Sequence, residues 1–432
     1  MRNANKYLLW YYIFLLLIFA SRQGNTAPSL IIRLAFMVLA ILPTVLTNKV
    51  SYPAVITLFF TLTLYGFAYS YMPYTLSLYV FVTLLMTIFI RFKYCLKTKI
   101  PFHLLFFPIY IFLVDSISGI GRSGSVLFED SVYCFMIVLC FLSMPVPKTS
   151  TSLKQLSLVF IVISIVLSIY FLLNREAFAV SYDYSGKYER SGWIDPNYFG
   201  TILGMGVVIA FSKLLDRNKD RKNRTEDILS FAAIMLTLPV LLLNASRGAI
   251  LSVIVAGVVL FMFAKAKIWH KFLIIIVAIL VLIYLYNNQY MDLLAYRIAN
   301  DGTGGSGRLS IWSSKLAAFS RGSLFNILFG YGYVGGLNVS GRLIGFHNDY
   351  VAFLVDYGIV GFFLFMYMMF YPLMQVPRKS YVYPRILSIT LYLSVTCLTL
   401  EPLTAGRLPY FIFYLLALLY TYSRPYESTF HD

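Results

Sequence analysis

Residues 350–374 read YVAFLVDYGIVGFFLFMYMMFYPLM, and this stretch decides which solvent the chain folds in. It is longer than the roughly 20 apolar residues a helix needs to cross the hydrocarbon layer. Its only charge is Asp356. Outward from it the same pattern recurs, with apolar runs at 7–20, 31–46, 53–72, 75–90, 102–120, 131–146, 156–173, 198–215, 228–243, 249–264, 272–286, 386–400 and 409–422. Of the 432 residues, 59% are hydrophobic, 18% aromatic and 12% charged, with a mean hydropathy of +0.77. Soluble domains carry about a quarter charged residues, and no water-soluble fold hides this much apolar surface. The expected fold class is therefore an all-α polytopic membrane protein of about fourteen transmembrane helices, and no fewer than about twelve. It is read as a single integral membrane domain over residues 1–432. Cys95, Cys134, Cys140 and Cys397 lack C-x-x-C spacing and sit in or beside apolar runs, so they read as small core residues rather than a zinc site or redox pair.

A net charge of +17 would point to nucleic acid in a soluble protein, but in a membrane protein it sets orientation. With the N-terminus in the cytoplasm, the clusters Arg91/Lys93/Lys97/Lys99, Lys148/Lys154, Arg217/Lys219/Arg221/Lys222/Arg224, Lys265/Lys267/Lys271 and Arg378/Lys379/Arg385 all fall in even-numbered, cytoplasmic connections. Nucleic acid is not an expected partner, the bilayer is, and both termini are placed in the cytoplasm. Arg2 and Lys6 precede the first run as in a signal peptide, yet no small-residue cleavage site follows, so this run is expected to be an anchor.

Two outside connections are long, 174–197 and 287–349, and length of this kind collects function. The first carries Arg190-Ser-Gly-Trp-Ile-Asp195-Pro-Asn197 directly into the eighth run. Asp195 or Asn197 can cap that helix and Pro196 suits its first turn, which accounts for these residues by capping alone. Capping leaves Arg190 unexplained at a helix mouth that favours anions. The tight turn Asn244-Ala-Ser-Arg247-Gly248 puts an arginine at the outer boundary, either snorkelling to lipid phosphate or serving as a fixed fork for a phosphate or diphosphate.

In the long connection, Gly304-Gly-Ser-Gly-Arg308 sets a third arginine behind a glycine-rich turn. The following stretch, 308–319, has apolar residues at Leu309, Ile311, Trp312, Leu316 and Phe319, spaced for a short amphipathic helix on the outer membrane surface. The connection closes with His347-Asn348-Asp349-Tyr350. These residues could simply cap the twelfth run, but among the four histidines His347 is the one placed to take a proton near neutral pH. Gly330-Tyr-Gly-Tyr-Val-Gly335 matches G-x-G-x-x-G without a strand before it, so it is a turn and not a nucleotide loop. The sequence has no phosphate-binding P-loop and no D-x-D pair. The embedded charges Arg33, Asp115 and Asp356 are functional candidates by default, though each could pair within the bundle.

In order and in kind, Arg190-Ser-Gly-Trp-Ile-Asp-Pro-Asn-Tyr-Phe-Gly200, Ser246-Arg247-Gly248, Gly307-Arg308-Leu-Ser-Ile-Trp312 and His347-Asn348-Asp349-Tyr350 with Asp356-Tyr-Gly-Ile-Val-Gly361 resemble the bacterial O-antigen ligase and O-antigen polymerase superfamily. The resemblance implies a C-type, inverting glycosyltransferase that needs no cofactor or metal. Its partners would be an undecaprenyl-diphosphate-linked glycan and the inner membrane, with the site on the periplasmic face. It implies diphosphate and substrate binding by Arg247, Arg308 and Arg190, with Asp195, Asn197, Asn348 and Tyr350 beside them. His347 is then the candidate base and Asp349 the group that fixes its tautomer. The expected activity is polymerisation of lipid-linked repeat units, which admits a chain-length regulator protein as a partner. Transfer of the finished glycan to lipid A-core by a ligase is the alternative. A lipid-linked oligosaccharide flippase is a further one, disfavoured because the sequence shows neither an internal repeat nor an interrupted span.

Overall fold

A computed structural model describes residues 102–118, 150–173, 196–215, 224–264, 268–289, 291–300, 307–341, 345–380 and 382–403, with Leu416 and Leu419. The described residues are helical and include no strand. In chain order the helices are α1 (Phe102–Ser118), α2 (Ser150–Leu173), α3 (Pro196–Leu215), α4 (Arg224–Leu243), α5 (Arg247–Phe263), α6 (Ile268–Asn287), α7 (Asp292–Asn300), α8 (Arg308–Ser320), α9 (Leu324–Phe329), α10 (Tyr333–Asn338), α11 (Asp349–Met374) and α12 (Tyr383–Thr399). Eight of the runs expected from hydropathy coincide with these helices; the runs at 7–20, 31–46, 53–72, 75–90 and 131–146, and nearly all of 409–422, lie outside the described residues. Among the described residues three helices are long and apolar enough to cross a membrane, Asn197–Leu215, Glu226–Leu243 and Asp349–Met374, with shorter apolar helices beside them.

One bundle forms around α3, which packs against α2, α4, α5 and α12. Hydrocarbon offers no hydrophobic gain for helix pairing, so small residues and interhelical hydrogen bonds hold such a bundle. Ser168 Oγ donates to Thr237 Oγ1 at 3.1 Å, Tyr392 Oη to the Thr201 carbonyl at 2.6 Å, and Ser388 Oγ to the Ala256 carbonyl at 2.9 Å. Thr396 Oγ1 donates to Ser252 Oγ at 3.1 Å, stitching α12 to α5. The outward faces expose Phe106, Ile109, Phe112 and Leu113 on α1 and Ile276, Ile279, Leu280 and Ile283 on α6, as a lipid-facing surface should.

The second group of elements is α1, α11 and the short helices α8 to α10, joined to the bundle through α12. Here the sequence expectation of uninterrupted spans is corrected. α11 breaks at Gly358, whose φ of 66° and ψ of −172° belong to a region open essentially to glycine alone. The break strands carbonyls of the preceding turn, and each finds a donor from elsewhere. Tyr331 N–H donates to the Val355 carbonyl at 3.2 Å, Gly332 N–H to the Asp356 carbonyl at 2.7 Å, and Tyr110 Oη to the Tyr357 carbonyl at 2.7 Å. A Cβ on Gly358 would run into the Leu328 backbone, and one on Gly330 into the Asp356 backbone. The glycine-tyrosine turn is thus a seam that enters α11 at its break. Because a loop fills that break, it differs from the open midplane breaks of transporters.

Candidate active site

Asn197 opens α3, and its Oδ1 accepts a bond from Ser246 Oγ at 3.3 Å. Ser246 is the N-cap of α5, so Asn197 braces the turn that presents Arg247 as the first residue of that helix. Ala245, with φ of 51°, makes the preceding reversal tight. Gly248 then meets Thr399 of α12 so closely that a Cβ at 248 would collide with the threonine side chain. Arg190 and Asp195 lie outside the described residues.

Arg308 begins α8, as the spacing at 308–319 led one to expect, and Gly307 before it takes the left-handed φ of 80° that the turn requires. Arg308 Nη1 donates to the carbonyl of the same Thr399. Both arginine-bearing helix starts are therefore fastened to one residue at the end of α12. Trp312, one turn along α8, donates its Nε1–H to the Phe346 carbonyl at 2.7 Å, which ties α8 to the histidine turn.

His347 follows with a positive φ of 52°, and its side chain is 47% exposed. Glu401 stands beside it, with Oε1 3.6 Å from His347 Nδ1, while Oε2 accepts the Phe346 N–H at 3.0 Å. Asn348 caps α11, its Oδ1 accepting from Tyr350 N–H at 2.9 Å and Val351 N–H at 3.2 Å. Asp349 is fully buried; its N–H donates to the Leu400 carbonyl at 3.2 Å and its Oδ2 accepts from Leu403 N–H at 3.2 Å. Tyr350 Oη donates to the Ser394 carbonyl at 3.2 Å and its ring meets Phe365 edge-on. Asn348, Asp349 and Tyr350 thus brace the start of α11 against α12. The carboxylate set for orienting the imidazole is Glu401, a residue the sequence reading passed over.

The structure brings Arg308 and His347 to the short segment from Thr399 to Glu401, where Gly248 also sets the turn that carries Arg247, and Asn197 touches that turn through Ser246. Glu401 was hidden because it follows the apolar run at 386–400 with no motif around it. The available signal was an acid followed by Pro402 just after an apolar run, on the side expected to carry His347.

Residues 232–366 match the family model described as O-antigen ligase. Over these residues the chain is similar to that family, which supports the resemblance to the O-antigen ligase and polymerase superfamily. A search of the curated proteins finds no match. The matched stretch includes Arg247, Arg308 and His347, whereas Thr399 and Glu401 lie beyond it. Members of this superfamily are membrane proteins of the glycosyltransferase kind that act on lipid-linked glycans.

Proposed function

We propose that the protein polymerises undecaprenyl-diphosphate-linked oligosaccharide repeat units at the periplasmic face of the inner membrane, by inverting transfer. The observation that carries this reading is the convergence of two helix-start arginines and a histidine-glutamate pair on the end of α12. A diphosphate leaving group gains charge as the glycosidic bond breaks, and preorganised guanidinium forks at helix N-termini stabilise that charge. Arg247 and Arg308 hold the diphosphate. Anchoring one nitrogen of Arg308 on the Thr399 carbonyl fixes the plane of its fork.

The acceptor hydroxyl attacks the anomeric carbon from the face opposite the diphosphate. A carbon–oxygen bond forms there as the bond to the phosphate oxygen breaks, and the electron pair leaves with undecaprenyl diphosphate. His347 takes the hydroxyl proton on Nε2, while Glu401, 3.6 Å from Nδ1, stabilises the imidazolium that forms. The half-exposed ring then returns the proton to water. Arg190, Asp195 and Asn197 are assigned to the donor side, and no metal or cofactor is part of the scheme. Asp349 is left with a structural role.

Ligation to lipid A-core is the second reading, favoured by the description of the matching family and by the glycine that follows His347 after ten residues, Gly358. Fourteen expected spans and the Asp195-Pro-Asn-Tyr-Phe segment favour polymerase. Deleting the gene and resolving surface glycan on a gel separates the readings. Core carrying one repeat supports polymerase. Bare core with polymer retained on the carrier lipid means ligase, and single repeats held on the cytoplasmic face mean flippase. His347→Ala and Arg247→Ala should each abolish transfer with expression intact; near-normal glycan in both removes the assigned roles.

A further inference from the structure

The inward side of α8 is unusual for a helix at a membrane surface. Leu309 and Leu316 are exposed, while Lys315 is 1% exposed and Phe319 7%. Lys315 Nζ donates to the Gly336 carbonyl at 3.1 Å and to the Leu337 carbonyl, binding α8 to α10. It also lies 4.9 Å from the centroid of the Phe346 ring. Phe346 is the residue whose N–H reaches Glu401 and whose carbonyl takes the Trp312 indole, and His347 comes next. A buried ammonium therefore sits under the turn that presents the imidazole.

Its charge has a counterpart. Burial pulls the Lys315 pKa below the ordinary lysine value, and the carboxylates of Asp356 and Glu401 act in the opposite direction. Asp356 is fully buried, and neither of its oxygens has a hydrogen-bond partner among the described residues. Deeper in the same group, Asp115 of α1 accepts from Tyr333 N–H at 2.9 Å and Tyr357 Oη at 3.1 Å. The charged and titratable groups linked to the His347 turn are thus Lys315 from α8 and Glu401 after α12, with Asp356 and Asp349 of α11 acting on the same cluster, Asp115 of α1 behind Asp356, and Arg308 held at Thr399 beside Glu401. A buried carboxylate without a counter-charge is costly, and the cation–π contact and two carbonyls make this a built position for one ammonium.

We propose that Lys315 is a positioning residue for transfer, holding the Phe346–His347 turn in register and offsetting the carboxylate field that would otherwise raise the basicity of His347. This rests on the reading of His347 as the base. Removing the cation leaves the Glu401 carboxylate beside the ring without the buried ammonium that opposes it, so His347 binds its proton more tightly and the neutral form needed for catalysis appears only at higher pH. Replacement by arginine keeps the charge.

The test uses the full-length protein purified in detergent and acylation by diethyl pyrocarbonate, which attacks only neutral imidazole. Peptide mass spectrometry reads His347 separately from His103, His270 and His431. In Lys315→Met the pH midpoint of His347 acylation should rise by roughly half a unit or more, and in Lys315→Arg it should stay near wild type. With a lipid-linked repeat-unit donor, Lys315→Met should lower kcat by roughly 10- to 100-fold with little change in donor KM, and move the acid limb of the rate profile upward with the midpoint. An unchanged midpoint overturns the proposal even if transfer is lost, because a merely structural lysine would give that result. A shifted midpoint in a protein that transfers no glycan upholds the role of Lys315 and removes the proposed function. If Lys315→Met fails to accumulate, Lys315→Gln carries the test: the His347 midpoint should rise as for methionine, and a midpoint that stays or falls overturns the proposal.

Discussion

At the scale of single residues, Glu401 is the sharpest handle on the chemistry. Glu401→Gln keeps an acceptor for Phe346 N–H but removes the negative charge beside His347. A carboxylate at this range favours the imidazolium, so its loss lowers the histidine pKa and moves the acid limb of the rate profile to lower pH. The expected cost is roughly 10- to 100-fold in kcat, because the tautomer is no longer held and the developing charge is no longer met. A rate profile of the purified variant checks both, and an unmoved acid limb would remove Glu401 from the mechanism. As candidates, His347, Arg247 and Arg308 were legible in the sequence because each breaks the logic of its surroundings, as a charge or imidazole next to a helix start on the side expected to face outward. Glu401 and Lys315 were not. The first has its meaning only through a turn more than fifty positions earlier, and a lysine on an amphipathic helix ordinarily faces water. Lys315 turns inward because the outer face of α8 carries Leu309 and Leu316, which a membrane surface accepts as water would not.

At the scale of elements, the break in α11 explains features that the sequence left unconnected. The run at 350–374 was read as one span, and its hydropathy is indeed continuous. What interrupts it is a pairing with Gly330 and Gly332, supplied by a segment that is distant in the chain, and no local pattern records such a contact. The same pairing accounts for two glycines of Gly330-Tyr-Gly-Tyr-Val-Gly335: Gly330 lies against the Asp356 backbone and Gly332 against the Ser118 side chain. Gly358→Ala should cost about 1–3 kcal/mol from the backbone conformation, with the collision against Leu328 in addition. A thermal melt in detergent should show a clearly lower transition and a reduced yield. Gly257→Ala is the control, since a Cβ there meets nothing within 4 Å in mid-helix and alanine is the better helix former. Its melting temperature should match or exceed that of the starting protein. The small helices α7, α9 and α10 lie in the long connection 287–349, which was expected to hold short amphipathic helices, but their positions were not legible: they are too short for periodicity to show, and packing against the larger elements holds them.

At the scale of the whole molecule, the outward placement expected for the site rests on the charge pattern alone. Arg378 and Lys379 lie in the connection between α11 and α12, and Asn338 lies in the segment that carries Arg308 and His347. If the basic clusters face the cytoplasm, these two groups lie on opposite sides of the membrane. Single cysteines at Asn338 and Arg378, in a chain whose own cysteines have been replaced, test this with a maleimide that does not cross membranes. The cysteine at 338 should react in intact spheroplasts and the one at 378 only after permeabilisation; the reverse pattern would place the histidine in the cytosol and end the periplasmic reading. Hydropathy and charge fixed the class of fold at this scale because a bilayer leaves helices few alternatives. How the spans pack around α3 depended on small residues and hydroxyls such as Ser168, Thr237 and Ser252, which are scattered through the runs without a period of their own.

The seam at Gly330–Gly332 is made by amide groups meeting carbonyls, so its grip does not depend on which side chains the neighbouring positions carry. Outward positions in that segment are therefore open to exchange while the frame underneath stays as it is. One scaffold of this kind could be retuned to new sugars by surface substitutions alone, with the arginines and the imidazole left untouched.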